Sequence, residues 1–388
     1  MYEAIVIGGG AAGLAAAVSL ARAGRRVAVF EAQARVGRKL LATGNGRCNF
    51  TNLNACADDY YGDHALAAAA LAAFPPARVL EFFEKVGIPA QFDQAGRAYP
   101  ASNQASSVLD ALRLALAEAG GEEVCGFRVA SITRRLCVRA EDGREARATC
   151  VLLACGGLAG SHLGAADAPF IARLGHRFTP RSPALAPLET QGALAALSGQ
   201  RVRCALTLAG RREVGEALFT EYGLSGIAAM QLARFARPGQ TLTIDFLCGE
   251  PADLRLRVRR LPARRMEDFL TGIVPKRVGQ ALVKSVGIAL TRRADSLAEV
   301  EIATLEDALT AWKIPVRGVR GYDQAQVTAG GLEGGDFDPE TLQSRRVPGL
   351  FAAGEVLDVD GPCGGYNLQW AWASELLAAR AIDERLAQ

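Results

Sequence analysis

The first thirty-one residues alternate short apolar runs with a glycine-rich turn and an alanine-rich stretch. An apolar run at 4–7 leads into the sequence GGGAAG at 8–13, and a second apolar run at 27–30 ends in Glu31. Uninterrupted apolar runs of this length predict buried parallel strands, and the alanine-rich stretch 11–23 between them predicts a helix. The segment therefore predicts a strand–helix–strand unit.

Beyond this unit the hydrophobic pattern changes at two points, after the prolines at 180–187 and again at residue 251. Further elements are predicted by the same criteria: helices at 64–73, 77–86, 225–235 and 370–386, and strands at 124–132, 147–154, 202–208 and 241–246. Three prolines, Pro180, Pro183 and Pro187, mark a boundary after which the strands become short and alternating, as in antiparallel sheets. The stretch 251–312 has helical spacing.

The glycines of the first turn each have a physical role. Gly8 allows a tight turn out of the strand, Gly10 lets the backbone approach a pyrophosphate, and Gly13 lets the helix pack closely on the sheet. The helix N-terminus offers N–H groups and a partial positive charge to phosphates. Glu31, eighteen residues after Gly13, is placed to accept hydrogen bonds from ribose hydroxyls. This order predicts a dinucleotide site.

Composition and charge narrow the class of protein. The 388 residues are 50% hydrophobic and carry a net charge of +3, which is too mild to indicate a nucleic-acid or membrane partner. No apolar run approaches the roughly 18 residues of a membrane span, so we expect a cytoplasmic protein without a membrane partner. None of the nine cysteines forms a CxxC pair, and no metal site is expected.

Two further regions have the composition of ligand-binding loops. The segment VGRKLLATGNGRCNFTN at 36–52 combines three glycines, three cations and three amides directly after the acidic strand end. An apolar strand also ends at Cys155-Gly156-Gly157, where the backbone can come close to a ligand at the carboxyl end of a sheet. Both loops predict contact with a bound cofactor.

A third glycine loop lies near the C-terminus. A strand ends at Gly354-Glu355, and the sequence GPCGGYNLQ at 361–369 then leads into an alanine-rich helix. Glu355 is placed to reach the ribityl or pyrophosphate region of a long cofactor, and the helix start to face the flavin N1 and C2 carbonyl. Loops from the beginning, middle and end of the chain suit FAD, whereas NAD would use fewer.

Several of these motifs carry a family resemblance. GRKLLATGNGRCNFTN, LACGGLAGSHLG, TAGGL and GLFAAGEVLDVDGPCGGYNLQWAWASE resemble the BaiN-like flavoproteins, also called the aminoacetone oxidase family. The resemblance implies an α/β fold in which a Rossmann-type FAD-binding domain with a parallel sheet is interrupted by a small β-barrel-like domain that carries a helical insertion. The predicted divisions are 1–187 (FAD domain, first part), 188–250 (β domain), 251–312 (helical insertion) and 313–388 (return through the β domain to the FAD domain, second part).

The loops and the resemblance together predict a set of cofactor contacts. These are Gly8, Gly10, Ala11, Ala12, Gly13, Glu31, Ala32, Arg38, Lys39, Leu40, Thr43, Gly44, Asn49, Val129, Ala154, Cys155, Gly156, Gly354, Glu355, Gly365, Asn367, Leu368 and Gln369. Val129 resembles the strand residue whose backbone meets the adenine. The sequence departs from the family at Glu221, where a histidine is frequent, and at Cys363, where a threonine is frequent, so the substrate does not follow from the resemblance.

The predicted function is that of an FAD-dependent oxidoreductase. It exchanges a hydride between flavin N5 and a small organic substrate, by amine oxidation or enone reduction. Only one nucleotide fingerprint is present, so NAD(P)H is a candidate donor that docks transiently, without a domain of its own. The catalytic residue is left open among five candidates: Glu221, Tyr222, His162, Cys363 and Tyr366.

An alternative function stays open at this point. Six arginines fall between 255 and 265, which would permit an FAD-binding protein that associates with RNA or another partner, or that modifies nucleic acid. No aromatic residue is interleaved with them and acidic residues follow, so we favour a solvated helix face and expect no nucleic-acid partner. The oligomeric state is not defined by these patterns.

Overall fold

The computed structural model describes residues 1–165, 167–192 and 194–388, which form two compact units. The first unit comprises Met1–Ser182 and Gln326–Gln388, and the second comprises Pro183–Ala325. The second unit is thus inserted into the sequence of the first. The four-part division of the chain stays a prediction.

The helices and strands of the described residues follow in chain order. The α-helices are α1 (Ala11–Arg22), α2 (Arg38–Ala42), α3 (His64–Ala73), α4 (Pro76–Lys85), α5 (Ala105–Glu118), α6 (Pro169–Ala172), α7 (Ile227–Leu232), α8 (Leu254–Arg260), α9 (Met266–Phe269), α10 (Lys276–Ser285), α11 (Glu299–Thr310) and α12 (Tyr366–Ala387). The strands are β1 (Tyr2–Ile7), β2 (Val27–Glu31), β3 (Thr51–Asn52), β4 (Tyr61–Gly62), β5 (Ala90–Phe92), β6 (Arg97–Pro100), β7 (Glu122–Cys125), β8 (Val129–Ile132), β9 (Cys137–Ala140), β10 (Glu145–Leu153), β11 (Ser182–Ala184), β12 (Leu188–Thr190), β13 (Arg201–Leu208), β14 (Arg211–Phe219), β15 (Gly223–Ser225), β16 (Thr241–Asp245), β17 (Trp312–Val319), β18 (Val327–Ala329), β19 (Leu350–Ala352) and β20 (Val359–Asp360).

A mainly parallel sheet forms the centre of the first unit. Its strand order is β7-β2-β1-β10-β9-β8, and β19 also pairs with β10. The pairs that involve β1, β2, β7 and β19 are parallel, with Ile5 opposite Val151 and Ala28, whereas β8 and β9 pair antiparallel. The predicted Rossmann-type parallel sheet is confirmed. Because β1, β2, β10 and β19 run in one direction, the loops that follow them meet at one edge.

Small residues allow close packing around this sheet. The α1 residues Ala15, Ala16, Ala17 and Val18 are fully buried, and α12 packs against α1. Alanine loses no side-chain entropy on burial and favours helix, which suits a helix enclosed on most sides. The beginning and the end of the chain therefore share one core.

A closed barrel forms the second unit. Its strands follow the order β12-β15-β14-β13-β16-β17, and β13 pairs antiparallel with β14 from Arg201 opposite Leu218 to Leu208 opposite Arg211. The four helices α8 to α11 lie between β16 and β17 in sequence. The predicted β-barrel with its helical insertion is confirmed.

Two elements differ from the sequence-based expectation. The apolar stretch 124–132 is two strands, because Gly126 adopts a positive φ of 66° and turns the chain between β7 and β8. The helix predicted at 225–235 begins only at Ile227, since Gly226 has a φ of 90°, and a 3₁₀ turn at Ala233–Phe235 ends it. Local glycine conformation overrides the apolar pattern in both places.

The helices of the described residues were compared with the length and composition of a membrane span. No single helix there is long and apolar enough to cross a membrane. Only α3 and α4, bent by 53°, satisfy the length and composition requirement as a pair.

His176 is a buried histidine of the first unit. Its ring stacks on Phe337 with centroids 5.2 Å apart and its Nε2 lies 2.8 Å from the Ser344 hydroxyl, while its Nδ1 has no partner among the described residues. Burial lowers the pKa of this imidazole, so the folded state favours the neutral ring. The unfolded state binds the proton more readily, and stability is lost as the pH falls through the unfolded pKa of about 6.5.

We expect His176→Phe to reduce the loss of unfolding free energy that accompanies a fall in pH. Urea unfolding at pH 7.5 and pH 5.0 measures how strongly the unfolding free energy depends on pH. Replacement of the exposed His64 by glutamine is the control, in which this dependence should be unchanged. An unchanged slope in His176→Phe would contradict this assignment.

Candidate cofactor site

The first glycine turn is held by close backbone contacts. Gly8 has a φ of 109°, and a Cβ there would lie 2.3 Å from the carbonyl oxygen of Ala154. A Cβ on Gly13 would lie 1.8 Å from the carbonyl oxygen of Gly8. Gly10 differs, since no described atom lies within 4 Å of its Cβ position. Two of these glycines are thus needed for the fold, whereas Gly10 faces open space at the start of α1.

Glu31 ends β2 beside this turn. Its Oε2 accepts a hydrogen bond from the Gly9 N–H at 2.8 Å, and its Oε1 accepts one from the Gln33 N–H at 2.8 Å. A carboxylate has about four acceptor positions, so two stay available for ribose hydroxyls. The backbone bonds fix the carboxylate at the edge where a ribose would bind.

The loop at 36–52, called the second loop here, brings a cation and an amide to the same edge of the sheet. Lys39 in α2 donates from Nζ to Oε2 of Glu355 at 2.5 Å. The Oδ1 of Asn49 is buried without a hydrogen-bond partner in the described part of the chain. Its neighbour is the start of α12, because a Cβ on Gly365 would lie 2.8 Å from this oxygen. This buried acceptor is free to accept a hydrogen bond from a bound molecule.

Other predicted contacts of this loop serve the protein itself. Arg38 donates to the Gln33 side chain at 3.0 Å, and the Thr43 hydroxyl donates to the Leu40 carbonyl at 2.6 Å. The Leu40 side chain is buried in the core, and Gly44 has a positive φ of 57° that turns the loop. These contacts hold the loop in shape, and the predicted contacts of these residues with the cofactor stay predictions.

The loop that follows β10 at 154–159, called the middle loop here, lies between Thr328 and Glu355. The Ala154 N–H donates to the Ile7 carbonyl at 2.9 Å, which ties this strand end to the end of β1. A Cβ on Gly157 would lie 2.5 Å from the Thr328 Oγ1 and 2.8 Å from the Glu355 Oε1. Gly156, with a φ of 72°, faces open space within the described structure. The loop is packed on one side and open on the other.

The C-terminal loop leads into an uncapped helix. Gly365, with a φ of 102°, is the N-cap of α12 and provides no side chain to its first turn. The first intrahelical bond runs from the Gln369 N–H to the Gly365 carbonyl, so the N–H groups of the three residues before Gln369 have no intrahelical acceptor. Together with the helix dipole they favour an electron-rich group at this end.

Two predicted contacts of this region are engaged with the protein. The Asn367 amide bonds the Gly361 N–H and carbonyl at 2.8 and 2.7 Å and so closes the loop. The Gln369 side chain is fully buried, accepts from the Thr51 hydroxyl and donates to the Phe74 carbonyl. The amide of Gln369 therefore faces the core, and the predicted contact of this residue with the cofactor stays a prediction.

The remaining predicted contacts lie along the same strand ends or next to them. Ala11 and Ala12 lie in the first turn of α1, and Leu368 lies in the first turn of α12. Ala32 follows β2, Cys155 follows β10, and Val129 begins β8. Gly354 donates its N–H to the buried Ser374 hydroxyl. As a set they surround one edge of the sheet, which is where long dinucleotides bind in such folds.

The five catalytic candidates fall into different units. His162 is exposed and lies in the first unit with Cys363 and Tyr366, whereas Glu221 and Tyr222 lie in the second unit between β14 and β15. Burial raises the pKa of the Cys363 thiol and of the Tyr366 phenol. Both groups keep their protons at neutral pH and can act as proton donors.

These residues fit FAD. The open space at Gly10 and Gly156 provides room for backbone approach, Asn49 presents an unsatisfied acceptor, and α12 presents an uncapped N-terminus. The prediction that Glu31 lies at the adenosine end and α12 at the flavin end is compatible with this arrangement.

Sequence reasoning missed Thr328, whose hydroxyl and N–H bond the middle loop and Glu355. The only sequence signal for it was its place in TAGGL.

Comparison with known proteins identifies the family. The family model described as the HI0933-like protein Rossmann domain matches residues 2–381. The chain is 37% identical to a 3-dehydro-bile acid delta(4,6)-reductase of Clostridium scindens, over 98% of both chains. It is 30% identical to a ribosomal RNA dihydrouridine synthase of Escherichia coli over 98% of both chains, and 29% identical to that of Haemophilus influenzae over 99% of both.

A solved structure gives the same fold. The 3-ketosteroid delta1-dehydrogenase of Sterolibacterium denitrificans, in complex with 1,4-androstadiene-3,17-dione, aligns with a TM-score of 0.54 and 13% identity over 99% of each chain. The chain belongs to the HI0933-like family of FAD-binding Rossmann proteins. It is an FAD-dependent oxidoreductase, and the expected BaiN-like resemblance and the expected cofactor FAD are confirmed.

Proposed function

We propose that this flavoenzyme reduces a carbon–carbon double bond conjugated to a carbonyl group in a small organic substrate. The observation that carries the proposal is the full-length relationship to the bile-acid reductase, at 37% identity. The dihydrouridine synthases support the same reaction type, because uridine also has a double bond conjugated to a carbonyl group. Of the two predicted reaction types, this favours enone reduction over amine oxidation.

The chain would hold the cofactor with the residues of the strand-end edge. FAD, when bound, supplies hydride-transfer chemistry. The α12 N-terminus stabilises negative charge on the electron-rich part of the cofactor, and Glu31 binds its ribose. The Lys39–Glu355 ion pair fixes the second loop against the C-terminal loop.

Reduction of a double bond also needs a proton at the second carbon. We infer that the Tyr366 phenol donates it, since a phenol holds its proton at neutral pH and Tyr366 lies at the first position of α12. Cys363 is the other protonated group of this loop, but a thiol is the weaker hydrogen-bond donor.

NAD(P)H is the inferred two-electron donor. The chain has one nucleotide fingerprint, so the donor would bind transiently beside the cofactor. Each double bond takes up two electrons and two protons, of which NAD(P)H provides a hydride and the protein or solvent the remaining proton.

Anaerobic spectroscopy of the purified holoprotein tests this function. NADH or NADPH should bleach the flavin, and a 3-oxo-4-ene steroid or a simple cyclic enone should restore its colour with formation of the saturated ketone. Tyr366→Phe should lower the rate of this second half-reaction about 10²-fold or more and leave bleaching by NAD(P)H intact. Bleaching by small amines, with no turnover of any enone, would overturn the proposal.

RNA is the second candidate substrate. Two curated relatives are ribosomal RNA dihydrouridine synthases, and Arg259, Arg260 and Arg264 of the helical insertion are exposed. Two neighbours are already engaged, since Arg255 pairs with Glu299 and Arg257 donates to the Phe269 carbonyl. Three exposed arginines are a weaker signal than the 37% relationship, which ranks this function second.

Incubation with ribosomal RNA and NADPH, followed by mass spectrometry of the nucleosides, tests the second candidate. Formation of dihydrouridine, with binding that weakens steeply with salt and is reduced in Arg259→Gln/Arg264→Gln, would favour it. Replacement of the exposed Arg78 by glutamine is the matched control in the first unit.

A further inference from the structure

Thr328 joins three of the cofactor loops. It lies in β18, two residues after the chain re-enters the first unit at Gln326, and is 1% exposed. Its Oγ1 accepts hydrogen bonds from the N–H groups of Leu158 and Ala159 at 2.8 and 2.9 Å. One hydroxyl thus satisfies two consecutive backbone donors of the middle loop.

The backbone of the same residue extends the network. The Thr328 N–H donates to Oε1 of Glu355 at 2.8 Å, and the other oxygen of that carboxylate accepts from Lys39. Both oxygens of Glu355 are therefore engaged with the protein. In the structure Glu355 connects the 36–52 loop to β18, and its predicted contact with the cofactor stays a prediction because a carboxylate has about four acceptor positions.

The geometry around Gly157 makes this network specific. The Cβ position of Gly157 is 2.5 Å from the Thr328 Oγ1 and 2.8 Å from the Glu355 Oε1, distances that no side chain tolerates. The backbone at Gly157 therefore packs directly on the network. A change at the Thr328 hydroxyl would therefore disturb the loop whose open side is at Gly156.

We propose that Thr328 is a positioning residue, whose hydroxyl fixes the Gly156–Gly157 loop against Glu355 and thereby sets how tightly the protein retains FAD. The inference rests on FAD binding and not on the identity of the substrate. The threonine methyl group fills the core, and the hydroxyl carries the positioning function.

Three variants separate the hydroxyl from the shape of the side chain. Thr328→Val keeps the branched shape and removes the acceptor, Thr328→Ser keeps the acceptor and removes the methyl group, and Gly157→Ala pushes the loop away from an intact Thr328. Thr304→Val is the control, because Thr304 is exposed in the second unit and its hydroxyl donates to the Val300 carbonyl of its own helix.

Two measurements on the holoprotein provide the readout. Hydrogen exchange of the peptide containing Leu158 and Ala159 reports the two backbone bonds, and the rise of flavin fluorescence on dilution reports FAD release. In Thr328→Val we expect faster exchange in this peptide and FAD release about tenfold faster, from the loss of two hydrogen bonds. Thr328→Ser should stay within about twofold of wild type.

The alternatives give different results. If Thr328→Val retains FAD and exchange protection as wild type does, or if Thr328→Ser is as impaired as Thr328→Val, the hydroxyl has no positioning role and the proposal fails. Should Thr328→Val not fold, Gly157→Ala decides. Faster FAD release with the Thr328 side chain intact supports the network, and wild-type release overturns it.

Discussion

Replacement of Gly8 by alanine is expected to abolish the folded first unit, whereas replacement of Gly10 by alanine is expected to leave it intact and weaken FAD binding. At Gly8 the new methyl group would meet the Ala154 carbonyl at 2.3 Å in a backbone conformation with φ of 109°. The left-handed backbone and the overpacking together cost about 2–5 kcal/mol of unfolding free energy. At Gly10 the methyl group meets no described atom, and only the approach of the pyrophosphate is obstructed.

Urea unfolding of the FAD-free protein and FAD titration measure the two effects separately. Gly8→Ala should lower the midpoint strongly or give no folded protein. Gly10→Ala should unfold at the wild-type midpoint and bind FAD at least about tenfold more weakly. Equal loss of stability in both variants would contradict the assignment of Gly10 to the cofactor.

Removal of the carboxyl group of Glu375 is expected to stabilise the protein. Glu375 lies in α12, is 0% exposed, and neither of its oxygens has a hydrogen-bond partner among the residues described. Burial raises the pKa of this carboxyl well above 4.5, so the folded state holds the proton that the unfolded state releases. Stability is therefore lost as the pH rises above the unfolded pKa, up to the folded value.

Glu375→Leu should raise the unfolding free energy by about 1–3 kcal/mol, because an unsatisfied buried polar group is removed. The gain should be larger at pH 9 than at pH 6, and Glu375→Gln should remove the same pH dependence while keeping the side-chain length. Glu384→Leu is the control on the same helix, since the Glu384 side chain is 66% exposed. Destabilisation by Glu375→Leu at both pH values would mean that the carboxyl has a partner in the working protein.

The sequence was most informative where the backbone itself makes the site. The turn at Gly8 to Gly13 is recognisable because its spacing follows from the geometry of one strand and one helix. The parallel sheet followed from apolar runs, and the barrel from alternation together with family resemblance. These features depend on neighbours in sequence, which is why they could be predicted.

Contacts between distant segments could not be predicted. Thr328 is unremarkable in sequence, and its role depends on Leu158 and Glu355 meeting it in space. The sequence placed Gln369 at a helix start that faces the flavin, but it could not show that the helical rotation of α12 turns this side chain toward Thr51. The Gly126 turn also separated two strands that apolar spacing alone had joined.

The order in which the ribosome releases the chain has a consequence for how the cofactor is acquired. The β1–α1–β2 segment emerges first, but β19 and α12, which complete its sheet and cover α1, emerge only after the whole second unit. Until then the apolar side of α1 lacks the helix that encloses it. We therefore expect stable FAD binding only after β19 and α12 have been synthesised, and a nascent chain interrupted before Leu350 would present exposed apolar surface to chaperones and proteases.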